Sequence, residues 1–208
     1  MSYKTEQEKF WAGEFGRDYI ERNTLTPEQY AASTYLWAKI LGSMSTSPCS
    51  ILELGSNIGN NLHVLNDLVP NARLGAVEIN PVAADAVRSW GKAEVFEASI
   101  LEFSPGESWE MVFTCGVLIH INPDALSAVY DLIYKASSKY ICMSEYYSPR
   151  PDEVSYRGHS ERMYRRDFAG EIMDKYPDLK LVSYGFAYHR DPLFPLGDLT
   201  WFLMEKTS

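Results

Sequence analysis

Positive charge is scarce in this chain, cysteine is scarcer, and no hydrophobic run approaches membrane length. Lys and Arg number 19 against 28 Asp and Glu, a formal net charge of −9 over 208 residues. That balance disfavours a protein that follows a nucleic-acid backbone by neutralising its phosphates. A small molecule is the better first partner, and no nucleic acid is expected. The longest apolar run, VFTCGVLIHI, falls far short of the roughly 20 residues of a membrane helix, and the opening MSYKTEQEKF has no apolar signal core. A soluble, unexported, cytoplasmic protein without a membrane partner is the expectation. Cys49, Cys115 and Cys142 are odd in number and widely spaced, so they read as thiols of a reducing compartment. No CxxC pair or His/Cys cluster has metal-ligand spacing, and no metal is expected.

Apolar material is plentiful. Residues of hydrophobic type make up 46% of the chain, enough to fill one domain's core. The first forty residues read as two helices. In the first, Trp11, Phe15 and Tyr19 recur every four residues and share a face, which reads as an amphipathic stripe docked on the core, or else as a lid. In the second, Thr26-Pro27 followed by Gln29 forms a capping box with proline in the first turn. From Ser50 onward, short apolar runs alternate with amphipathic stretches: SILELG, RLGAVEI, AEVFEA, MVFTCG and KYICMSE as strands, NLHVLNDLV, PVAADAVRSWG and PDALSAVYDLIYKAS as helices. That order predicts an α/β parallel sheet covered on both faces. The end differs: after a helix around RRDFAGEIMDKY, the runs LKLVSYGFAYH and LTWFLMEK are joined by a loop too short for a crossover, and so predict an antiparallel pair.

The first strand runs into ILELGSNIGNN, residues 51 to 61. Glycines there allow close backbone approach, and the following helix offers unpaired N–H groups. The spacing is ExGxNxG, however, and not the GxGxxG that serves a pyrophosphate. Glu53 would repel a pyrophosphate but favours a ligand carrying an ammonium group. Glu78 ends the next strand about twenty residues on, where an acid accepts hydrogen bonds from ribose hydroxyls. Ile100, just past the third strand, could pack against an adenine ring.

These residues resemble the class I S-adenosylmethionine-dependent methyltransferases. ELGSNIG looks like the first motif of that superfamily, Glu78 its ribose acid, Ser99 and Ile100 its adenine-edge position, and FTCGVLIHI its fourth strand. The resemblance implies S-adenosyl-L-methionine as cofactor and a Rossmann-like, seven-stranded, mostly parallel sheet with an antiparallel last strand and helices on both faces. It implies cofactor contacts from Glu53, Gly55, Ser56, Asn57, Gly59 and Asn61, from Glu78 and Ile79, from Ser99 and Ile100, and from Cys115, Gly116 and Leu118. Residues 1–45 would form a helical cap and 46–208 the methyltransferase domain. Two positions depart from the pattern: Asn57 stands where a glycine is common, and Ser99 where an Asp often meets the adenine amine. A hydroxyl is the weaker acceptor. More narrowly, FWAGEFGRDYIERN, GVLIHINPD, EYYSPRP, YRGH, RRDFAGE and YHRDP resemble methylases associated with pseudaminic acid biosynthesis.

His120 follows the fourth strand and precedes a helix start at Asn122-Pro123, which suits a general base near the donor methyl, or else a packing histidine. Glu145, Tyr146 and Tyr147 end the fifth strand, where ligands gather in open α/β sheets. Arg157, His159 and Arg162 lie in the basic stretch YRGHSERMYRRDF. Arg162 and Arg166 at one helical turn could fork onto an anion, or the stretch is a solvated helix in which Glu161 pairs Arg165. The resulting expectation is methyl transfer to an oxygen or nitrogen of a small, polar, anionic acceptor such as a sugar or nonulosonic acid derivative, with a homodimer left open. The alternatives are a methyltransferase acting on RNA or protein, a non-catalytic cofactor-binding partner in a biosynthetic complex, and, last, an NAD-linked oxidoreductase, which lacks its GxGxxG.

Overall fold

The computed structural model describes residues 3–154 and 163–207. Its sheet has seven strands, β1 (Ser50–Leu54), β2 (Arg73–Glu78), β3 (Ala93–Glu97), β4 (Trp109–Cys115), β5 (Ser137–Glu145), β8 (Leu179–Phe186) and β9 (Thr200–Lys206), ordered β3-β2-β1-β4-β5-β9-β8. Strands β1 to β5 pair in parallel, and β9 runs antiparallel to both neighbours, β5 and β8. A separate two-stranded ribbon joins β6 (Asp152–Glu153) to β7 (Tyr164–Arg165). The expected architecture is present.

Both faces of the sheet are buried, so side chains alternate between two cores. Ile51 packs with Trp37, Ile40, Leu62, Leu65 and Val87 from α3 (Pro27–Gly42), α4 (Asn60–Leu68) and α5 (Pro81–Trp90). Leu52 and Leu54 pack with Val129, Ile133, Phe168 and Ile172 from α6 (Leu126–Ala136) and α7 (Phe168–Lys175). Fully burying such a side chain is worth about 1.5–3 kcal/mol. The order reverses between β1 and β4, and at such a switch point the loops leaving the carboxyl ends of neighbouring strands part to leave a crevice. None of the described helices is long and apolar enough to cross a membrane.

Two local expectations are corrected. The stretch carrying Trp11, Phe15 and Tyr19 is two helices, α1 (Glu6–Ala12) and α2 (Glu14–Arg22), broken at Gly13, whose backbone is extended (φ −91°, ψ −152°). Gly13 and Gly16 both disfavour a continuous helix, and α1 is closed at its start by a Thr5–Glu8 capping box. Nor does the stripe enter either core: Trp11 and Tyr19 stand over the cleft at the carboxyl edge of the sheet, and Phe15 packs on Phe10 and Trp11. The basic stretch is also not helical at Tyr164 and Arg165, which pair as β7 with Glu153 and Asp152. Arg165 is bonded to Asp152, and Arg166 Nε donates to Glu171 Oε1 at 2.8 Å.

Candidate functional site

The loop after β1 is held by its own backbone. Gly55 and Ser56 donate their N–H groups to Val77 O at 2.8 and 3.1 Å, fastening the loop to β2. Gly55 has φ +76°, and a Cβ there would come within 2.7 Å of Val117, so it must be glycine on two counts. Asn57 occupies the left-handed region at φ +49°, which asparagine tolerates better than most residues, and its Oδ1 accepts Ile58 N–H at 2.6 Å. This geometry explains how the loop dispenses with a glycine at that position. Gly59, also left-handed, is the N-cap of α4 and packs toward Val87.

Two carboxylates flank the loop. Glu53 is 1% exposed; its Oε1 accepts Asn61 Nδ2 at 2.7 Å, and Asn61 is held in turn by Trp37 Nε1 at 3.1 Å. Its Oε2 is buried without a hydrogen-bond partner among the described residues. Burial holds the Glu53 carboxyl well above its usual range; the Asn61 hydrogen bond opposes this and nearby Glu78 adds to it. Glu78 accepts Asn57 N–H on Oε2 and Asn80 N–H on Oε1, both at 2.7 Å, which fixes its plane. Burial raises it too, against the pull of those amides.

One cleft gathers most of the expected cofactor residues: Glu53, Gly55, Ser56, Asn57 and Asn61, then Glu78, Ile79, Ser99 and Ile100, then Cys115 and Gly116, with His120 at its side. Gly59 is not on the lining, and Leu118 is wholly buried in the core beneath it. Glu145 also lies below the surface, with Oε1 accepting Val117 and Leu118 N–H, each at 3.1 Å. Tyr146 and Tyr147 line a second cavity beside β6 and β7 together with Arg165 and Asp198. Arg157, His159 and Arg162 fall outside the described residues.

Sequence reasoning missed several walls of the cleft. Glu8, Asn23, Asn60, Asn80 and Val117 all line it, while Trp11 and Tyr19, the lid alternative of the sequence reading, close it from above. The roof is tied down by polar contacts: Ser99 Oγ to Glu8 Oε1, Asn80 Nδ2 to Trp11 O at 3.1 Å, and Asn60 Nδ2 to Asn23 O at 2.6 Å. The Trp11 and His120 ring centroids lie 4.6 Å apart. The Trp11/Phe15/Tyr19 stripe marked that segment as a possible lid, and the signal for Glu8 is Thr5-x-x-Glu8, a capping-box pattern that foretells a helix start without telling where the helix docks. The described lining carries three carboxylates, Glu8, Glu53 and Glu78, and neither Lys nor Arg. Such a field favours hydroxyls, amines and cations over a pyrophosphate.

No protein-family model and no curated protein matches the chain. Solved structures do match in fold. The plantazolicin methyltransferase BpumL, crystallised with a desmethylPZN analog and SAH, superposes with a TM-score of 0.68 at 14% identity, over 97% of this chain and 95% of its own. The magnesium protoporphyrin IX methyltransferase ChlM from Synechocystis PCC 6803, with bound SAM, gives 0.70 at 10% identity over 100% of both chains. The Burkholderia thailandensis 1,6-didemethyltoxoflavin-N1-methyltransferase, with bound 1,6-didemethyltoxoflavin and S-adenosylhomocysteine, gives 0.71 at 18% identity over 100% of this chain and 92% of its own. At these identities the likeness establishes the fold, that of the class I methyltransferases.

Proposed function

We propose that this chain is an S-adenosylmethionine-dependent methyltransferase acting on an oxygen or nitrogen of a small polar molecule. The observation that carries the reading is Glu53: a buried carboxylate on the cleft wall, one oxygen held by Asn61 and the other without a partner among the described residues, suited to an ammonium group. Glu78, its plane fixed by two amides, is the acceptor for a ribose diol, and Ile100 offers an apolar surface to a base. The donor, when bound, supplies a methyl group on a positively charged sulfur that is already a good leaving group.

The protein's own task is then chiefly to orient and to exclude water. Holding reactants in line can lower a barrier by about 7–11 kcal/mol. The helices α1 and α2, within the proposed cap of residues 1–45, roof the cleft with Trp11 and Tyr19, while α3 belongs to the core under the sheet. His120, under Trp11, is the proposed acceptor of the proton leaving a substrate hydroxyl. For the acceptor itself, a sugar or nonulosonic acid derivative rests on the sequence resemblance. The described cleft lining contains no Lys or Arg, so an anionic acceptor would draw on Arg157, His159 or Arg162.

Calorimetric titration of the full chain with S-adenosylhomocysteine tests the reading. Saturable binding is expected, weakened about 10- to 100-fold by Glu78→Ala through loss of charge-assisted hydrogen bonds. A wild-type protein that binds neither S-adenosylhomocysteine nor S-adenosylmethionine would overturn it. Incubation with labelled methyl donor and a metabolite extract of the source organism then identifies the acceptor by mass spectrometry.

A further inference from the structure

Past β3 the cleft wall is apolar at Ala98, Ile100 and Leu101, and its polar group there is Ser99. Ser99 is 4% exposed, donates its hydroxyl proton to Glu8 Oε1, and accepts Leu101 N–H on its oxygen at 3.0 Å. A hydroxyl has one proton and about two lone pairs, so Ser99 keeps little with which to read a ligand. Glu8 stands differently. It is 6% exposed, it lines the cleft, and its Oε2 is taken up by Lys4 N–H and Thr5 N–H, both at 2.7 Å, and by the Thr5 hydroxyl at 3.1 Å. Its Oε1 accepts only Ser99 among the described residues, which leaves it about one lone pair for a donor in the cleft. The carboxylate that β3 and its loop do not provide at this end of the cleft therefore arrives from α1.

We propose that Glu8 of α1 recognises the exocyclic amine of the donor's adenine, with Ser99 as the positioning residue that holds the carboxylate at the cleft wall. This rests on the methyltransferase reading above and extends it to the origin of base selectivity. A negatively charged acceptor rewards an N–H donor at the 6-position and penalises a carbonyl, because two acceptors then face each other unpaired. Since Glu8 belongs to the roof, which is also fastened by Asn80 to Trp11 O, Asn60 to Asn23 O and Lys4 Nζ to Leu101 O, an adenine bonded to it adds a further tie holding α1 over His120. Base recognition thereby supports closure of the cleft.

The test compares binding of S-adenosylhomocysteine and S-inosylhomocysteine, which carries a carbonyl in place of the amine, by calorimetry on the full chain. The wild type should prefer the adenosyl compound about 10- to 100-fold. Glu8→Gln, whose amide can present either an acceptor or a donor, should bring the ratio close to one, with circular dichroism and the melting curve showing that the variant folds. Ser99→Ala, which keeps the carboxylate but removes the bond that positions it, should narrow the preference without abolishing it. Equal binding of both compounds by the wild type, or a preference unchanged in Glu8→Gln, overturns the inference. So does a preference lost in Ser99→Ala and kept in Glu8→Gln. A wild type that binds neither compound removes the methyltransferase reading itself, an outcome distinct from a wild type that binds both alike.

Discussion

Asn61 Nδ2 donates to Glu53 Oε1 at 2.7 Å while Trp37 Nε1 holds Asn61 Oδ1 at 3.1 Å, so a chain from α3 through α4 fixes one oxygen of a buried carboxylate and leaves the other without a described partner. Energetically this is an expensive arrangement, since burial raises the carboxyl well above its usual range. A cationic ligand would reverse that cost, and a first prediction follows from the reversal.

An ammonium group seated on Glu53 lowers the carboxyl's pKa, so donor binding in the acidic range should expel a proton. S-adenosylhomocysteine titrations in buffers of different ionisation enthalpy should reveal this release, with apparent affinity rising as pH rises. Glu53→Gln should reduce the buffer dependence, leaving only the part that Glu78 contributes, and weaken binding. Identical heats in all buffers for the wild type would contradict the role given to Glu53.

Glu145 supplies a prediction about stability. Burial pushes its carboxyl up to about 7 from its usual 4.5, against the hydrogen bonds from Leu118 and Val117 N–H. Between those values the folded chain keeps a proton that the unfolded chain has released, so stability falls as pH rises through the window and levels off above it. The integrated loss is about 3 kcal/mol. Glu53 and Glu78 are displaced in the same direction, so the wild-type slope alone does not isolate Glu145. Glu145→Gln keeps an oxygen for the two amides and removes the titration. Its urea-unfolding free energy relative to wild type should therefore climb by that amount from pH 4.5 to 7, and a difference constant with pH would contradict the assignment.

Gly55→Ala should destabilise the loop by about 1–2 kcal/mol for the left-handed backbone, with a further cost for the Cβ that would sit 2.7 Å from Val117. Adding Val117→Ala should recover the steric part and leave the backbone part. Thermal melts of the two variants separate the contributions, and a double variant no better than the single would show that Val117 is not the obstacle.

Trp37→Phe should cost about 1–3 kcal/mol, mostly for the Asn61 carbonyl it leaves unsatisfied beside a wholly buried ring. Because that carbonyl orients Asn61 toward Glu53, donor affinity should fall along with stability. A purely structural role would lower the melting temperature and leave affinity intact, so measuring both distinguishes the two.

Periodicity made most of the architecture legible. Strands buried on both faces read as short apolar runs, helices as 3.6-residue patterns, and the missing crossover before LTWFLMEK as the antiparallel β9. Glu53, Gly55 and Glu78 were legible because each sits at a strand end where the fold leads the chain into the cleft. Trp11, Phe15 and Tyr19 were misread as one helix because a four-residue interval survives a break, and Gly13 supplies the break. Tyr146 and Tyr147 shared the strand-end signal with Glu145, yet they line the cavity beside β6 and β7 while Glu145 turns inward to the 117–118 amides.

The sequence by itself determined the sheet order's ingredients, the glycines of the loop after β1, and the two acids at the ends of β1 and β2, because all of these depend on intervals of a few residues or on a single crossover. Only the tertiary structure decided that Glu8 meets Ser99 across 91 residues, that Trp11 lies on His120, and that Glu145 supports a turn. Such pairings depend on how a roof of two short helices settles on a finished sheet, and no local pattern records where an amphipathic segment will dock.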